Sequence, residues 1–273
     1  MDFNRLKEIL SIPTYFGEET LMIEYVEAFA KEHGFKVVID SPKRNVLITK
    51  GELDDGEFYP CVSAHMDTVY NTHCYHSYNN QRLTIREDFV EIDSDLIKVL
   101  RAEGTGIGGD DKCGVAICLE LLLKCDKIKV ALFVEEEFGC HGARVANKEF
   151  FDNVGYLIEF DAPTNNWCSE VTSGVKLYNE SLFNELSEIF NKHEITNFSI
   201  DPYTDVAIIR NRFDFCCLNF SAGYYLQHGG AKEFVIPEHV EQALNLGVDI
   251  IEKLGYTKKY FRQQPPTNGI KSD

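Results

Sequence analysis

Several common features are missing from this 273-residue chain, and each absence removes a class of function. No apolar stretch approaches the roughly 20 residues that a membrane-spanning helix requires, and the opening Met1-Asp2-Phe3-Asn4-Arg5 has no apolar signal core. A cytoplasmic protein is the expectation. The nine cysteines include no C-x-x-C pair and are odd in number, which argues against a disulfide framework and against a thiolate zinc site. Cys61, Cys118, Cys216 and Cys217 lie in apolar runs and are expected to act as small core residues. Basic residues are in deficit, with 27 Lys+Arg against 44 Asp+Glu and a formal charge of -17. Such a surface repels phosphate backbones and anionic lipid, so neither nucleic acid nor a membrane is an expected partner. Internal repeats and linker-like stretches are also lacking. One domain is expected over 1–258, followed by a partly disordered tail over 259–273 that contains Pro265-Pro266 and Asn268-Gly269.

What remains reads as alternating helices and strands. Apolar residues at helical spacing predict helix over 3–34, broken near Pro13. Short β-type runs follow at 36–40, 45–49 and about 59–65, with a strand or hairpin over 82–92. The pattern then predicts a helix over 112–124, a strand over 128–134, a helix near 143–151, a strand over 155–160 and a helix over 181–193. Short strands are expected near 197–200 and 215–220, and a last helix opens at Pro237 and runs to about Leu254. Alternation of this kind predicts an α/β fold with a mixed, largely parallel sheet covered by helices on both faces.

Five motifs fall at predicted strand-to-loop junctions, where α/β proteins place their sites. The first is Ser63-Ala64-His65-Met66-Asp67-Thr68, which alone reads equally as a strand-end histidine with a turn-forming Asp. The second is the glycine run from Gly104 to Gly109, leading through Asp110-Asp111-Lys112-Cys113-Gly114 into a helix. It formally contains G-x-G-x-x-G, but two carboxylates stand where a pyrophosphate would need bare N–H groups, which disfavours dinucleotide binding. The third is Glu135-Glu136-Glu137-Phe138-Gly139 directly after five apolar residues. Three successive carboxylates there repel one another unless a positive charge is present. The fourth is Glu159-Phe160-Asp161 at another strand end, and the fifth is His228 in the glycine-flanked turn Gln227-His228-Gly229-Gly230. Together they supply imidazole and carboxylate ligands that suit zinc or a similar divalent ion, with Asp110 able to bridge two ions.

In this order the motifs HMDT, GGDDKCG, EEEFG, EFDAP and GYYLQHGGAKEFV resemble those of the co-catalytic zinc exopeptidases of the peptidase T, carboxypeptidase G and aminoacylase superfamily, most nearly peptidase T. The resemblance covers most of residues 1–255. It implies that His65, Asp110, Glu137, Asp161 and His228 ligate two divalent ions, zinc first with cobalt or manganese as alternatives. Asp110 would be shared, Asp161 would accompany His65, and Glu137 would accompany His228. It further implies that Asp67 orients His65 and that Glu136 is the general base for a metal-activated water. Asp111 and Glu135 stand one position from these assignments, and the spacing of K-x-G and x-G sets the choice.

The resemblance also implies a lid of roughly a hundred residues between the Asp161 and His228 motifs, yet only Ala162–Asn219 separates them. A lidless catalytic domain is therefore expected, acting as a monomer or weak homo-oligomer on small peptides. His193 and Arg210 are the nearby candidates for groups that a lid would supply. Loop 71–82 and the Tyr224-Tyr225 turn are the candidates for covering the site, with a Tyr hydroxyl serving the oxyanion. Without a placeable lid Arg, a free α-amino group met by Glu135 or Glu159 is expected to matter more than a substrate carboxylate. The alternatives to a metallo-exopeptidase are an amidohydrolase that deacylates N-acyl amino acids and a non-catalytic metal-binding homologue.

Overall fold

The computed structural model describes residues 1–70, 82–199 and 202–262. Its first helix, α1 (Phe3–Leu10), starts under Asp2, whose carboxylate accepts the N–H groups of Asn4 and Arg5, and it buries Leu6, Ile9 and Leu10. After the break near Pro13, α2 (Thr20–Glu32) lays Met22, Ile23, Val26 and Phe29 on the core. The antiparallel strands β1 (Lys36–Ile39) and β2 (Val46–Lys50) then form one edge of the main sheet. Three further strands from the first half of the chain are β3 (Tyr59–His65) and the hairpin pair β4 (Ile85–Ile92) and β5 (Asp95–Ala102).

The chain continues through α3 (Gly109–Lys124), β6 (Ile128–Phe133), the short helices α4 (His141–Val145) and α5 (Lys148–Phe151), and β7 (Val154–Ala162). A two-residue ribbon of β8 (Val171–Thr172) and β9 (Val175–Lys176) precedes α6 (Glu180–Lys192) and α7 (Asp205–Arg212). The last elements are β10 (Cys217–Ser221), β11 (Tyr224–Tyr225), β12 (Phe234–Val235) and α8 (Pro237–Leu254).

The main sheet has six strands in the order β1-β2-β6-β3-β7-β10. Strands β6, β3, β7 and β10 are mutually parallel, β2 runs antiparallel beside β6, and β1 runs antiparallel to β2. Every residue of those four parallel strands is buried, which requires helices over both faces and explains why their sequences read as near-continuous apolar runs. Helix α3 packs on β3, β6 and β7 and is itself covered by α1 and α8, whereas α7 packs on β3 and β10. This is the expected mixed α/β sheet. A second sheet, β11-β12-β5-β4, holds its own small cluster of Val99, Phe234 and Ile236.

The segment between Asp161 and His228 belongs to this body rather than to a lid. Ser169 N–H donates to the Asn219 carbonyl, Cys217 N–H donates to the Leu177 carbonyl, and α6 packs on α8. Several boundaries differ from expectation. Residues 82–92 are half of the β4–β5 hairpin, and the helix near 143–151 is split into α4 and α5 at Ala146 and Asn147. No strand forms at 197–199, where Asn197 makes only an isolated bridge to Trp167, and residue 200 lies outside the described residues. Residues 259–262 are not a free tail: Lys259 N–H donates to the Gly155 carbonyl, and its carbonyl accepts from Cys216 N–H. The rest of the expected tail, 263–273, lies outside the described residues. No helix among them is long and apolar enough to cross a membrane.

Candidate metal centre

Parallel register sets the first contacts of the site. His65 pairs with Phe133 across β3 and β6, and Ser63 pairs with Glu159 across β3 and β7. The carboxyl ends of three neighbouring strands therefore deliver His65, the 134–140 turn and Asp161 to one place. Asp110 arrives from the first turn of α3, immediately before a cis Asp110–Asp111 peptide, and His228 arrives from the turn beyond β11.

The side chains converge as two triads that share one residue. Ligand atoms of His65, Asp110 and Asp161 lie within 4.8 Å of one another, as do those of Asp110, Glu137 and His228. In the first triad, His65 Nε2 is 3.1 Å from Asp110 Oδ1 and 3.6 Å from Asp161 Oδ1. In the second, His228 Nε2 is 3.0 Å from Glu137 Oε1 and 3.3 Å from Asp110 Oδ2. The two oxygens of Asp110 thus face opposite triads. Glu136 belongs to neither, and its Oε2 stands 3.9 Å from His65 Nε2. A cleft of about 540 Å³ opens over this group and is lined in part by Asp110, Glu136, Glu137, Asp161 and His228.

Buried hydrogen bonds fix each member. His65 Nδ1 faces the Asp67 carbonyl at 3.1 Å and the Asp67 carboxylate at 3.4 Å. A proton on Nδ1 is satisfied there, leaving Nε2 as the free lone pair. Asp67 does more than orient this ring. Its carboxylate accepts the N–H of Glu136 at Oδ1 and of Glu137 at Oδ2, both at 3.0 Å, and so holds the turn carrying both glutamates. Asp161 is framed by Asn219, whose side chain accepts its N–H and donates to its carbonyl, and by the Tyr224 hydroxyl, which donates to Oδ1 at 3.1 Å. Glu233 accepts the N–H groups of Gly108 at 3.1 Å and Gly109 at 2.8 Å, clamping the loop that positions Asp110.

The neighbouring acids point elsewhere. Asp111 accepts from His65 N–H at 3.3 Å and from Gly114 N–H at 3.0 Å. Glu135 pairs with Lys43 at 2.6 Å and with His141 at 2.9 Å.

The electrostatics call for positive charge. Burial raises the Asp110 carboxyl, but hydrogen bonds from His228 and His65 outweigh it and hold the group well below the usual carboxylate range. Burial pushes Glu136 well above that range and raises Glu137 as well. Hydrogen bonds to Asp110 and Glu137 raise His228 to about 10, and the surrounding carboxylates raise His65 against the opposing effect of burial. Glu136, Glu137 and the two imidazoles are thereby shifted toward holding protons, and divalent cations would satisfy the same field. Imidazole plus carboxylate is also a donor set that fits zinc and its first-row neighbours.

Other sequence-based candidates are not at the site. Glu159 lies buried behind it, accepting from Ser63 at 3.2 Å, Thr204 at 2.8 Å and Val206 N–H at 3.1 Å. Neither Glu135 nor Glu159 is placed to meet a substrate amine. His193 pairs with Asp249, and Arg210 stacks on Phe261 while donating to the Phe213 carbonyl. The Tyr225 hydroxyl meets His239 at 2.6 Å, and that of Tyr224 is committed to Asp161, so neither is an oxyanion donor. Residues 71–81 of the expected covering loop lie outside the described residues.

Sequence reasoning missed four neighbours of the site. The Cys140 thiol donates to Glu136 Oε1 at 3.4 Å, and Glu233 grips the glycine loop. Asp205 is fully buried with neither side-chain oxygen hydrogen-bonded, and Tyr203 lines the cleft. Two carried a sequence signal: Cys140 by its place three residues beyond Glu137, and Glu233 by its place inside the motif GYYLQHGGAKEFV.

No family model matches the chain, and no curated protein matches it by sequence. Solved structures do match by fold. A tripeptidase from Staphylococcus aureus aligns with a TM-score of 0.71 and 14% identity, covering 92% of this chain and 96% of that one. Aminopeptidase PepT from Bacillus cereus aligns with a TM-score of 0.70 and 14% identity, covering 92% and 97%. An aminopeptidase from the archaeon Desulfurococcus kamchatkensis aligns with a TM-score of 0.65 and 15% identity, covering 94% of each chain. At these identities the likeness is one of fold.

Proposed function

We propose that the protein is a metal-dependent exopeptidase that hydrolyses short peptides. The observation that carries this reading is the pair of donor triads sharing Asp110, with the carboxylate of Glu136 beside them in an open cleft. That the similar structures are a tripeptidase and two aminopeptidases supports it. Two divalent ions, zinc first, would be held by His65, Asp110 and Asp161 and by Asp110, Glu137 and His228, where they would activate a water and polarise the scissile carbonyl.

The chain's own residues do the rest. Asp67 keeps the Glu136–Glu137 turn in register with His65. Glu136, outside both triads, takes a proton from the attacking water and returns it to the leaving amine. Burial raises the proton affinity of Glu136, and the cations beside it would keep it ionised until the water's proton arrives. Cys140 steadies its other oxygen. A small, unblocked peptide is the substrate and a cytoplasmic setting the expectation.

The test combines metal analysis with a panel of dipeptides, tripeptides and N-acyl amino acids. The expected result is two ions per chain and turnover of peptides. Glu136→Gln should keep both ions and lose about 10²–10⁴-fold in turnover, because an amide cannot accept the proton. Glu137→Gln should lose one ion. An ion lost from Glu136→Gln but not from Glu137→Gln would reverse the two roles, and turnover confined to N-acyl amino acids would make the protein a deacylase.

A further inference from the structure

Arg144 is exposed on α4, yet its side chain is fixed at two points. Nε donates to the Gly139 carbonyl at 2.9 Å, and Nη2 donates to the Tyr203 hydroxyl at 2.7 Å. Gly139 closes the turn that bears Glu136 and Glu137, since its own N–H donates to the Glu136 carbonyl at 2.8 Å. Tyr203 is half-exposed and lines the cleft over the triads. One guanidinium is therefore tied both to the turn carrying the reacting groups and to the cleft wall.

Charge makes this placement informative. The chain has 44 acidic residues to 27 basic ones, so a carboxylate partner is easily supplied. The neighbouring cations Lys43 and His141 are both spent on Glu135. Arg144 instead spends its held N–H groups on two neutral oxygens and, among the described residues, pairs with no carboxylate. Among the described residues, two of its five N–H donors are used and three stay open. Among the described residues, no Lys or Arg lines the cleft itself, where Asp110, Glu136, Glu137 and Asp161 supply negative charge and Pro163, Trp167 and Pro202 supply apolar surface.

We propose that Arg144, supported by Tyr203, anchors the free C-terminal carboxylate of the substrate. The proposal rests on the reading of the cleft as a peptide-hydrolysing site and names which end of the peptide is recognised. A guanidinium already held by two hydrogen bonds presents its fork to a carboxylate with little further ordering. Because the Tyr203 oxygen accepts from Arg144, its own proton is free to make a second bond to the same carboxylate. The four cleft carboxylates would repel a doubly charged phosphate more strongly than a monoanion, so a peptide terminus is the occupant. A substrate carboxylate thereby acquires a cationic partner from the catalytic body, in contrast to the weak anchoring expected from the sequence.

The experiment compares Leu-Gly-Gly with its C-terminal amide on metal-loaded wild type, Arg144→Gln, Arg144→Lys and Tyr203→Phe. The wild type should show a KM roughly 10- to 100-fold lower for the acid than for the amide, the size of a charge-assisted pair. Arg144→Gln should bring that ratio near one through KM rather than kcat. Arg144→Lys should keep part of the preference, and Tyr203→Phe should lose a smaller part. Calorimetric binding of both peptides to metal-loaded Glu136→Gln gives a readout independent of turnover, with the acid expected to bind more tightly. Equal treatment of acid and amide by the wild type, or an Arg144→Gln variant that keeps the wild-type ratio, would overturn the anchor and leave the peptidase reading intact. If neither peptide is turned over, the peptidase reading falls, and the calorimetric comparison alone decides whether Arg144 recognises a carboxylate.

Discussion

Replacing Asp67 by Asn tests whether the site is built by its hydrogen bonds before any metal arrives. The carboxylate has no exposed surface, and each oxygen accepts one backbone N–H at 3.0 Å, from Glu136 and Glu137. Asparagine retains one acceptor and turns an NH₂ group toward the other N–H. One charge-assisted bond, worth about 1.5–3 kcal/mol, is lost, and a buried donor is left facing another donor. Because these two costs overlap, the expected destabilisation is about 2–4 kcal/mol. At roughly 2–4 °C per kcal/mol for a chain near this size, Tm should fall by roughly 5–15 °C. The assay is thermal and urea unfolding of the metal-free variant, followed by metal titration and turnover of the loaded protein. The metal-free state is the informative one, since the bonds concerned run from side chain to backbone. Unchanged metal-free stability would refute the reasoning, and a loss seen only with metal bound would confine the role of Asp67 to the His65 ring.

Two further substitutions probe buried groups around the site. Asp205→Asn should stabilise the protein at neutral pH by about 1–3 kcal/mol, because it removes a buried carboxyl that has no hydrogen-bond partner. Burial raises the Asp205 pKa well above its ordinary value, so the folded state keeps a proton that the unfolded chain has lost. Its contribution therefore makes stability fall as pH rises above about 4, until the folded group also ionises, and the variant should flatten that slope in urea melts at several pH values. An Asp205→Asn protein less stable than wild type at pH 7, with the slope retained, would contradict this. Gly114→Ala should destabilise by about 1–3 kcal/mol, since an added Cβ would lie 2.4 and 2.5 Å from the Asp111 carboxylate oxygens and 2.6 Å from the Phe160 carbonyl. A melting curve equal to wild type would show that α3 can shift at no cost.

Strands β3, β6 and β7 were legible because they are buried on both faces, so their apolar runs are long and end abruptly in charged residues. The candidates His65 and Asp161 and the run Glu135–Glu137 stand at those abrupt ends, and the family resemblance singled out Glu137 within the run. Helix α7 was not legible. Its run Asp205-Val206-Ala207-Ile208-Ile209-Arg210-Asn211-Arg212 has no clear apolar stripe, because both Asp205 and Arg210 are buried with the aliphatic residues. Asp205 gave no local signal at all, and Glu233 fell inside the last motif with nothing there to show its role. They matter through contacts more than a hundred residues away in one case and through a missing partner in the other, and neither is a property of nearby sequence. The pairing of Glu135 with Lys43 likewise joins residues 92 positions apart, so its withdrawal from the cleft could not be read from the run of three glutamates.

The sharing of Asp110 gives the two triads different histories along the chain. His65, Asp110 and Asp161 have all been synthesised once residue 161 is made, whereas the second triad waits for His228. The clamp on the glycine loop comes later still, with Glu233, and α8 closes over α3 only after that. A nascent chain, or one truncated before the turn at His228, carries one complete triad and lacks the imidazole of the second. Full donor capacity is thus acquired only once the chain has been made past residue 233.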